Sequence, residues 1–183
     1  MVYIYTISDK ALMGKQVNLL SSYIAQSFFK NNIKISKQCT ISSTADFSFL
    51  LNDGIDKSIN IFLVEKTNDN LNQQLCDITK SVIIENPYAK NAIYDYYRKI
   101  GQPIEKSCEN EWKLPSLARV IVNPKGTIQG YILSYSNTIY CILIKKFYLS
   151  IQYILLRFMH YFSTKVAQLA LNLALFYHFL PDF

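Results

Sequence analysis

Two aspartates in this sequence have the residue type and the placement to hold a metal ion. Asp9 comes directly after an apolar segment at the start of the chain, and Asp69 follows a second apolar segment, Ile59–Val64. Carboxylate oxygens are the ligands that Mg²⁺ and other hard divalent cations prefer. If both segments are neighbouring parallel strands, the two carboxylates meet at one edge of the sheet and could share a cation. The alternative is that Asp9 is a solvated loop residue and that Asp69 is a favourable charge at a helix start.

The segments that would position these aspartates alternate between strand and helix patterns. Residues 2–8 are rich in β-forming residues, and Ile59–Val64 is an unbroken apolar run of the kind that forms a strand buried on both faces. Asn18 is a suitable cap for a helix over Leu19–Lys30. Strands that alternate with helices predict an α/β fold in three α/β/α layers around a mostly parallel sheet.

The remaining elements follow from the same patterns. Further strands are predicted over residues 33–40, 119–122, 128–134 and 139–144. Helices are predicted over residues 44–52, 68–80, 87–100, 105–113 and 147–162, with a final helix after residue 164. Thr44 and Pro87 mark two of the helix starts, and Gly54 and Gly101 mark two of the ends. Residues 1–162 would form one domain and residues 163–183 an apolar helical tail.

The composition is typical of a packed domain and excludes disorder. Of 183 residues, 50% are hydrophobic, which is enough for one substantial core. The net charge is +6, and residues 147–181 contain no Asp or Glu. This basic apolar segment could bind an acidic partner or a membrane surface, although packing on its own domain is the favoured interpretation. No apolar run is long enough to span a membrane, and no Arg/aromatic platform predicts nucleic-acid binding.

The cysteines and the first residues predict a cytoplasmic protein. The four cysteines are too far apart in sequence for a CxxC metal or redox pair. No basic segment precedes an apolar stretch at the start of the chain, so a signal peptide is not expected. Reduced thiols and a cytoplasmic location are the resulting expectation.

Three blocks of the sequence carry short motifs in a fixed order. Residues 7–18 have the sequence ISDKALMGKQVN, residues 67–72 have TNDNLN, and the third block begins with NP at 86–87 and ends with NPKGTIQGY at 123–131. They resemble the segments G-T-E-L-L-x-G-x-x-x-N, T-x-D-D-L-T and N-P-x-G-T-x-x-G-[FY] of the CinA-like (competence/damage-inducible) branch of the MoaB/Mog molybdopterin-binding domain family. Ordered blocks at matching spacing are stronger support than a single motif.

This resemblance implies a MoaB/Mog fold, a nucleotide or pterin phosphate as the ligand, and a homo-oligomer. It also implies hydrolysis of a pyrophosphate such as ADP-ribose, with Mg²⁺ or another divalent metal stabilising the developing charge. Asp9 and Asp69 would hold the metal, and Asp69 would be the candidate catalytic residue. The residues expected to bind the ligand or shape its pocket are Asp9, Gly14, Asn18, Thr67, Asn123, Lys125, Gly126 and Thr127.

Three departures from the family pattern bear on activity. The family's G-G-x-G-P loop, which brings backbone N–H groups close to phosphate, is replaced by LVEK at 63–66. Glu65 would repel a phosphate there, although Lys66 could offset the repulsion. Asn70 stands where the family has a second aspartate, so a general base and a metal ligand are lost unless Asp69 substitutes for it. A last loop, P-G-x-P-x-E-M, is replaced by KKFYLS at 145–150.

These departures leave three hypotheses open. The chain is a metal-dependent hydrolase that still binds a nucleotide or pterin phosphate, or a non-catalytic interaction protein (a pseudoenzyme) that uses its basic C-terminal segment, or the product of a degraded reading frame whose terminal segment is a neutral extension. Loss of activity is the favoured expectation. Two structural questions are also open: whether Gly126 and Gly130 supply a positive φ to a turn or allow close approach of a ligand, and whether Lys125 contacts phosphate or is a solvated turn lysine.

Overall fold

The described part of the chain forms eight strands, and polar caps delimit the helices between them. A computed structural model describes residues 1–30, 32–48 and 58–144. The strands are β1 Val2–Ile7, β2 Ile35–Ile41, β3 Ile59–Val64, β4 Ile83–Glu85, β5 Lys113–Pro115, β6 Arg119–Ile121, β7 Gly130–Tyr135 and β8 Thr138–Ile144. The helices are α1 Asp9–Leu12, α2 Leu19–Lys30, α3 Asp69–Thr79 and α4 Pro87–Ile100, with a 3₁₀ turn over Lys106–Asn110.

Six of the strands form one sheet in the order β2-β1-β3-β8-β7-β6. The first four are parallel, whereas β7 and β6 are antiparallel to their neighbours. The connection from β1 to β2 runs one way along the sheet and the connection from β3 to β8 runs the other way. Right-handed crossovers therefore place α2 and α3 on opposite faces. The predicted α/β class with a mostly parallel sheet is confirmed.

The core lies around β1, β3 and β8, whose side chains are nearly all buried. The rings of Tyr5 and Phe62 stack with centroids 5.1 Å apart. Phe47, which is completely buried, meets Phe62 edge-on at 6.3 Å. Burying one such aromatic side chain contributes about 1.5–3 kcal/mol to stability. These contacts fix β1 and β3 side by side, so that their carboxyl ends meet.

The helix boundaries follow the capping residues that the sequence predicts. The Asn18 side chain accepts a hydrogen bond from the backbone of Ser21 at the start of α2. Asn68 caps α3, and Asn86 caps α4 immediately before Pro87. Gly101 ends α4 with a φ of 66°, a left-handed conformation that glycine adopts without steric cost.

Two of the predicted elements are corrected by the structure, and one pair of strands was not predicted. Residues 44–48 form turns and irregular backbone rather than the start of a helix at Thr44. The predicted helix over 105–113 is limited to the 3₁₀ turn, because β5 begins at Lys113. Strands β4 and β5 form a separate antiparallel pair that the sequence patterns did not predict. The predicted helices beyond residue 146 and the boundary at 162 lie outside the described residues.

The glycines of the 123–131 motif are needed for their size and not for their φ angles. Neither Gly126 nor Gly130 has a positive φ, so the alternative in which these glycines supply a positive φ to the turn is wrong. A Cβ added at Gly130 would lie 2.8 Å from the backbone oxygen of Ile142 on β8. A Cβ added at Gly126 would lie 3.0 Å from the Asn123 side chain. Glycine therefore lets β7 approach β8, and no ligand is required to explain it.

We expect Gly130→Ala to destabilise the fold by about 1–3 kcal/mol, because the new methyl group would press on strand backbone that cannot move aside. The matched variant Gly126→Ala meets only a side chain and should cost less. Urea denaturation of both variants and of wild type measures the two free energies of unfolding. Equal stability of the two variants would contradict this account of β7 packing.

Candidate functional site

The carboxyl ends of β1, β2 and β3 meet at one edge of the sheet, where ligands of parallel α/β folds bind. Ile7 pairs with Val64 in the β1–β3 register, so the next residues, Ser8 and Glu65, lie beside each other. The Ser8 hydroxyl donates a hydrogen bond of 2.8 Å to Glu65 Oε1. Glu65 thus places a half-buried carboxylate at the end of β3, where the resemblance predicts a glycine-rich phosphate loop.

Asp9 joins the loop after β1 to the loop after β2. Its carboxylate accepts hydrogen bonds from the Ser42 hydroxyl at 2.8 Å, from the Ser43 backbone N–H at 3.1 Å, and from the Ser43 hydroxyl. The Ser43 and Ser42 hydroxyls are the main cause of a pKa for Asp9 below its ordinary value, with a further contribution from the positive charge of Lys66. Both carboxylate oxygens accept hydrogen bonds within the protein, which gives Asp9 a structural role at this edge.

The start of α3 is tied to the loop after β2 by amide side chains. Asn68 caps the helix by accepting from Leu71 N–H at 2.9 Å, and its Nδ2 donates to the Ser43 carbonyl at 3.0 Å. Asn70 Nδ2 donates to the Ala45 carbonyl at 2.9 Å. The amide network, which we define as the side chains of Asn68, Asn70 and Gln74, therefore holds residues 42–48 in place.

Gln74 completes this amide network. Its Nε2 donates to Asn70 Oδ1 at 3.0 Å, and its Oε1 accepts from the Phe47 backbone N–H at 2.8 Å. Both polar atoms of the Asn70 side chain are thus engaged. Phe47 is carried into the core by the loop that this network fixes.

The other predicted site residues of the 67–72 block, Asp69 and Thr67, are placed differently. Asp69 is exposed in the first turn of α3, where its negative charge is favourable to the helix. Thr67 is half-buried just before the cap. In the ranges that the structure describes, no group of three His, Cys, Asp or Glu side chains is arranged to hold a metal. The shared cation of Asp9 and Asp69 stays a prediction.

The predicted ligand-binding residues Gly14 and Asn18 have structural roles near this edge. Gly14 follows α1 with a φ of 69°, which favours glycine. Asn18 caps α2, and its Nδ2 donates to the Thr6 hydroxyl at 2.6 Å.

The 123–131 segment forms a turn that is closed by two amide side chains. Asn123 Nδ2 donates to the Ile128 carbonyl at 3.1 Å, and Asn123 Oδ1 accepts from Lys125 N–H at 3.1 Å. Gln129 Oε1 accepts from Asn123 N–H at 2.7 Å, while its Nε2 donates to the carbonyls of Gly126 and Thr127. Lys125 is exposed. Of the predicted ligand residues, Thr67 lies near Ile128 and Gln129 of this turn, whereas Asp9 is hydrogen-bonded to the loop after β2.

A small pocket, which we call the Glu111 pocket, lies where the turn meets α3. Its walls include the apolar ends of β3 and β8 and six polar residues: Thr67, Asn68, Asn72, Glu111, Gln129 and Tyr131. The centre of a water-sized group has about 10 Å³ available, the room that one water needs. Among the described residues, no hydrogen-bond partner reaches the buried Oε2 atom of Glu111.

Sequence reasoning missed the residues that organise this region. Ser42, Ser43 and Gln129 are residue types that are common in loops. The hydrogen-bond partner of the two serines, Asp9, lies far away in the sequence, and the partners of Gln129 lie in an irregular segment. Glu111 lies in a polar stretch next to Trp112, which suggests a solvated helix. Only Gln129, inside the 123–131 motif, gave a local signal of its structural role, because a buried amide in a turn must form hydrogen bonds with nearby backbone.

Comparisons with known proteins give low but consistent similarity. No protein-family model matches the sequence. A CinA-like protein from Flavobacterium psychrophilum is 26% identical over 146 residues, which cover 75% of this chain and 34% of the relative. A putative competence-damage inducible protein from Pediococcus pentosaceus is 25% identical over 145 residues, which cover 76% of this chain and 35% of the relative. The chain spans about a third of the length of these relatives.

A solved structure supports the same assignment at the level of the fold. The crystal structure of CinA from Thermoplasma acidophilum, described as a protein of unknown function, superposes with a TM-score of 0.66 at 17% identity. The match covers 87% of this chain and 95% of that chain. In sequence this chain is similar to the two curated CinA-like relatives, and in fold it is similar to the CinA structure.

Proposed function

We propose that this chain is a CinA-like domain that does not hydrolyse a pyrophosphate and acts by binding instead of turnover. The observation that carries the proposal is the hydrogen bond from Asn70 Nδ2 to the Ala45 carbonyl. By the resemblance, Asn70 stands at the position of the family's second aspartate. An ionised carboxylate has no donor to offer, so the contact that holds the loop after β2 depends on the amide that replaces the acid.

The other predicted catalytic groups support the same conclusion. Asp9 accepts three hydrogen bonds from Ser42 and Ser43, which give this carboxylate a structural role. Asp69 is exposed at a helix start, a position that has a sufficient structural explanation. A metal-dependent mechanism would need both carboxylates turned toward one ion.

The charge at the end of β3 disfavours a phosphate. A phosphate oxygen about 4 Å from the Glu65 carboxylate would be repelled by about 4 kcal/mol at an effective dielectric constant near 20. The backbone N–H groups of a glycine-rich loop, which bind phosphate in the family, have no counterpart in the sequence LVEK at 63–66. Lys66, which is exposed, lies close enough to Asp9 to lower the pKa of that carboxyl, so part of its charge is balanced there. Self-association and a role for residues 163–183 stay predictions.

Purified wild-type protein should release no AMP from ADP-ribose in the presence of Mg²⁺. Asn70→Asp should not create the activity, because the phosphate site would still be lacking. It should also fail to raise stability, since the hydrogen bond to Ala45, worth about 0.5–1.5 kcal/mol, is lost. AMP release by wild type that disappears in Asp69→Ala would contradict the proposal and establish a hydrolase.

Asp9→Asn should destabilise the protein at pH 7, because an NH₂ group replaces one of the two carboxylate oxygens that accept from Ser42 and Ser43, and because the negative charge that strengthens these hydrogen bonds is lost. The Asp9 pKa is lowered in the folded state, so its contribution is present above the ordinary aspartate pKa of about 3.9 and is lost as the pH falls through the lower folded value. The stability difference between wild type and Asp9→Asn should therefore shrink below about pH 4. Urea denaturation between pH 7 and pH 3 measures it.

Ser43→Ala provides the matched control for this measurement. It removes one hydroxyl donor from Asp9 and should destabilise wild type more than it destabilises the Asp9→Asn variant, since the two residues act through one contact. Two results would contradict this role of Asp9. One is additive effects of the two substitutions, and the other is a stability difference between wild type and Asp9→Asn that does not change with pH.

A further inference from the structure

The end of α1 is closed by two backbone hydrogen bonds. Lys15 N–H donates to the Lys10 carbonyl at 2.9 Å, and Gly14 N–H donates to the Ala11 carbonyl at 3.1 Å. With Gly14 in the left-handed conformation, these bonds form the Schellman motif that ends many helices. We call residues 10–15 the Lys10 loop. The fold itself fixes the backbone of this loop, so its side chains are presented in a defined arrangement.

The Schellman motif brings Lys10 and Lys15 to neighbouring positions, where helix ends frequently have an apolar contact. Both lysines are exposed, and neither forms an ion pair with a residue that the structure describes. Two like charges held close together destabilise the isolated protein. An anionic partner would remove this cost, so the pair of lysines is better explained by binding than by folding.

Apolar side chains accompany the two lysines. Leu12 and Met13 lie between them in the loop and are 52% and 67% exposed. Val17 and Leu19 follow the loop and are also exposed. A single exposed apolar residue needs no explanation. Four of them within residues 12–19, next to two lysines, indicate a partner that is both anionic and apolar.

We propose that the Lys10 loop binds the surface of a membrane that contains anionic lipids. The Leu12 and Met13 side chains enter the boundary between head groups and acyl chains, while the two lysine ammonium groups stay at the level of the lipid phosphates. A lipid surface has a negative layer directly above an apolar one, which matches the pattern of this loop.

Other anionic partners fit the loop less well. A free phosphate or a nucleic-acid backbone would leave the apolar side chains in water. A standard protein interface uses about 20–30 residues a side, which is far more than this loop provides. A lipid surface needs no complementary shape, so a small apolar loop with two cations is sufficient for weak, reversible binding.

The proposal goes beyond the function proposed above, since the same loop would bind lipid on an active hydrolase as well. Each lysine near an anionic surface strengthens binding about fivefold. The net charge of +6 adds attraction at longer range. Binding should therefore weaken as the salt concentration rises.

Co-sedimentation of the full chain with lipid vesicles tests the electrostatic part of the proposal. Wild type should sediment with vesicles of phosphatidylglycerol and phosphatidylcholine at low salt, and it should stay in solution with phosphatidylcholine alone. Lys15→Glu reverses a charge in the loop and should weaken binding about tenfold or more. Lys99→Glu makes the same change at an exposed position on α4 and should bind nearly as wild type does.

A second pair of variants tests the apolar part. Met13→Ser removes an apolar side chain from the loop and should weaken binding several-fold, because less apolar surface leaves water. Val82→Ser is the matched control, since Val82 is 65% exposed and lies just before β4, and it should bind as wild type does. All four substitutions are at exposed positions, and circular dichroism checks that each variant is folded.

Three results would overturn the proposal. One is folded wild type that does not sediment with the anionic vesicles. Another is an equal effect of Lys15→Glu and Lys99→Glu, which would indicate the overall charge or a different segment. The third is weakening by Lys15→Glu with none by Met13→Ser, which would indicate a polyanion such as an acidic protein segment. None of these measurements involves ADP-ribose or AMP release, so their outcome is separate from the test for hydrolysis.

Discussion

The amide network at the start of α3 is the constraint on which the carboxyl edge of the sheet depends. Asn68 and Asn70 hold two carbonyls of the loop after β2, and Gln74 holds the Phe47 backbone. That loop carries Phe47 into the core against Phe62 and brings Ser42 and Ser43 to Asp9. The same hydrogen bonds thus connect the packing of the sheet to the arrangement of its ligand edge.

A carboxylate lies at the carboxyl edge of the sheet, where parallel α/β folds bind their ligands. Glu65 accepts a hydrogen bond from Ser8 at the end of β3. A carboxylate offers acceptors, whereas a phosphate needs donors. A shared fold does not bring a ligand with it, because function depends on the site and not on the fold.

The sequence predicted the elements whose signals are local. The unbroken apolar run of β3 and the caps Asn18 and Gly101 specify structure through neighbouring residues, and the structure agrees with them. The predicted helix at Thr44 failed because Phe47 is held by Gln74, 27 positions away, which no local pattern reveals. Strand β4 was missed because it is only three residues long and its partner β5 lies far along the chain.

The candidate site was harder to predict because its contacts also join residues that are far apart in the sequence. The residue types of Asp9 and Asn70 indicated where chemistry was expected, but their roles depend on Ser43 and Ala45, which belong to a different loop. Gly126 suggested a positive φ, whereas its smallness is needed beside Asn123. The place of Glu111 beside Thr67 and Gln129 is visible only once the chain has folded.

Isothermal titration of wild-type protein with ADP-ribose and Mg²⁺ tests the central claim most directly, because it measures whether the altered edge still holds a nucleotide phosphate. The account predicts no saturable heat beyond that of dilution. A saturable heat that is lost when Mg²⁺ is omitted would contradict it, since the edge would then bind a nucleotide phosphate together with a metal.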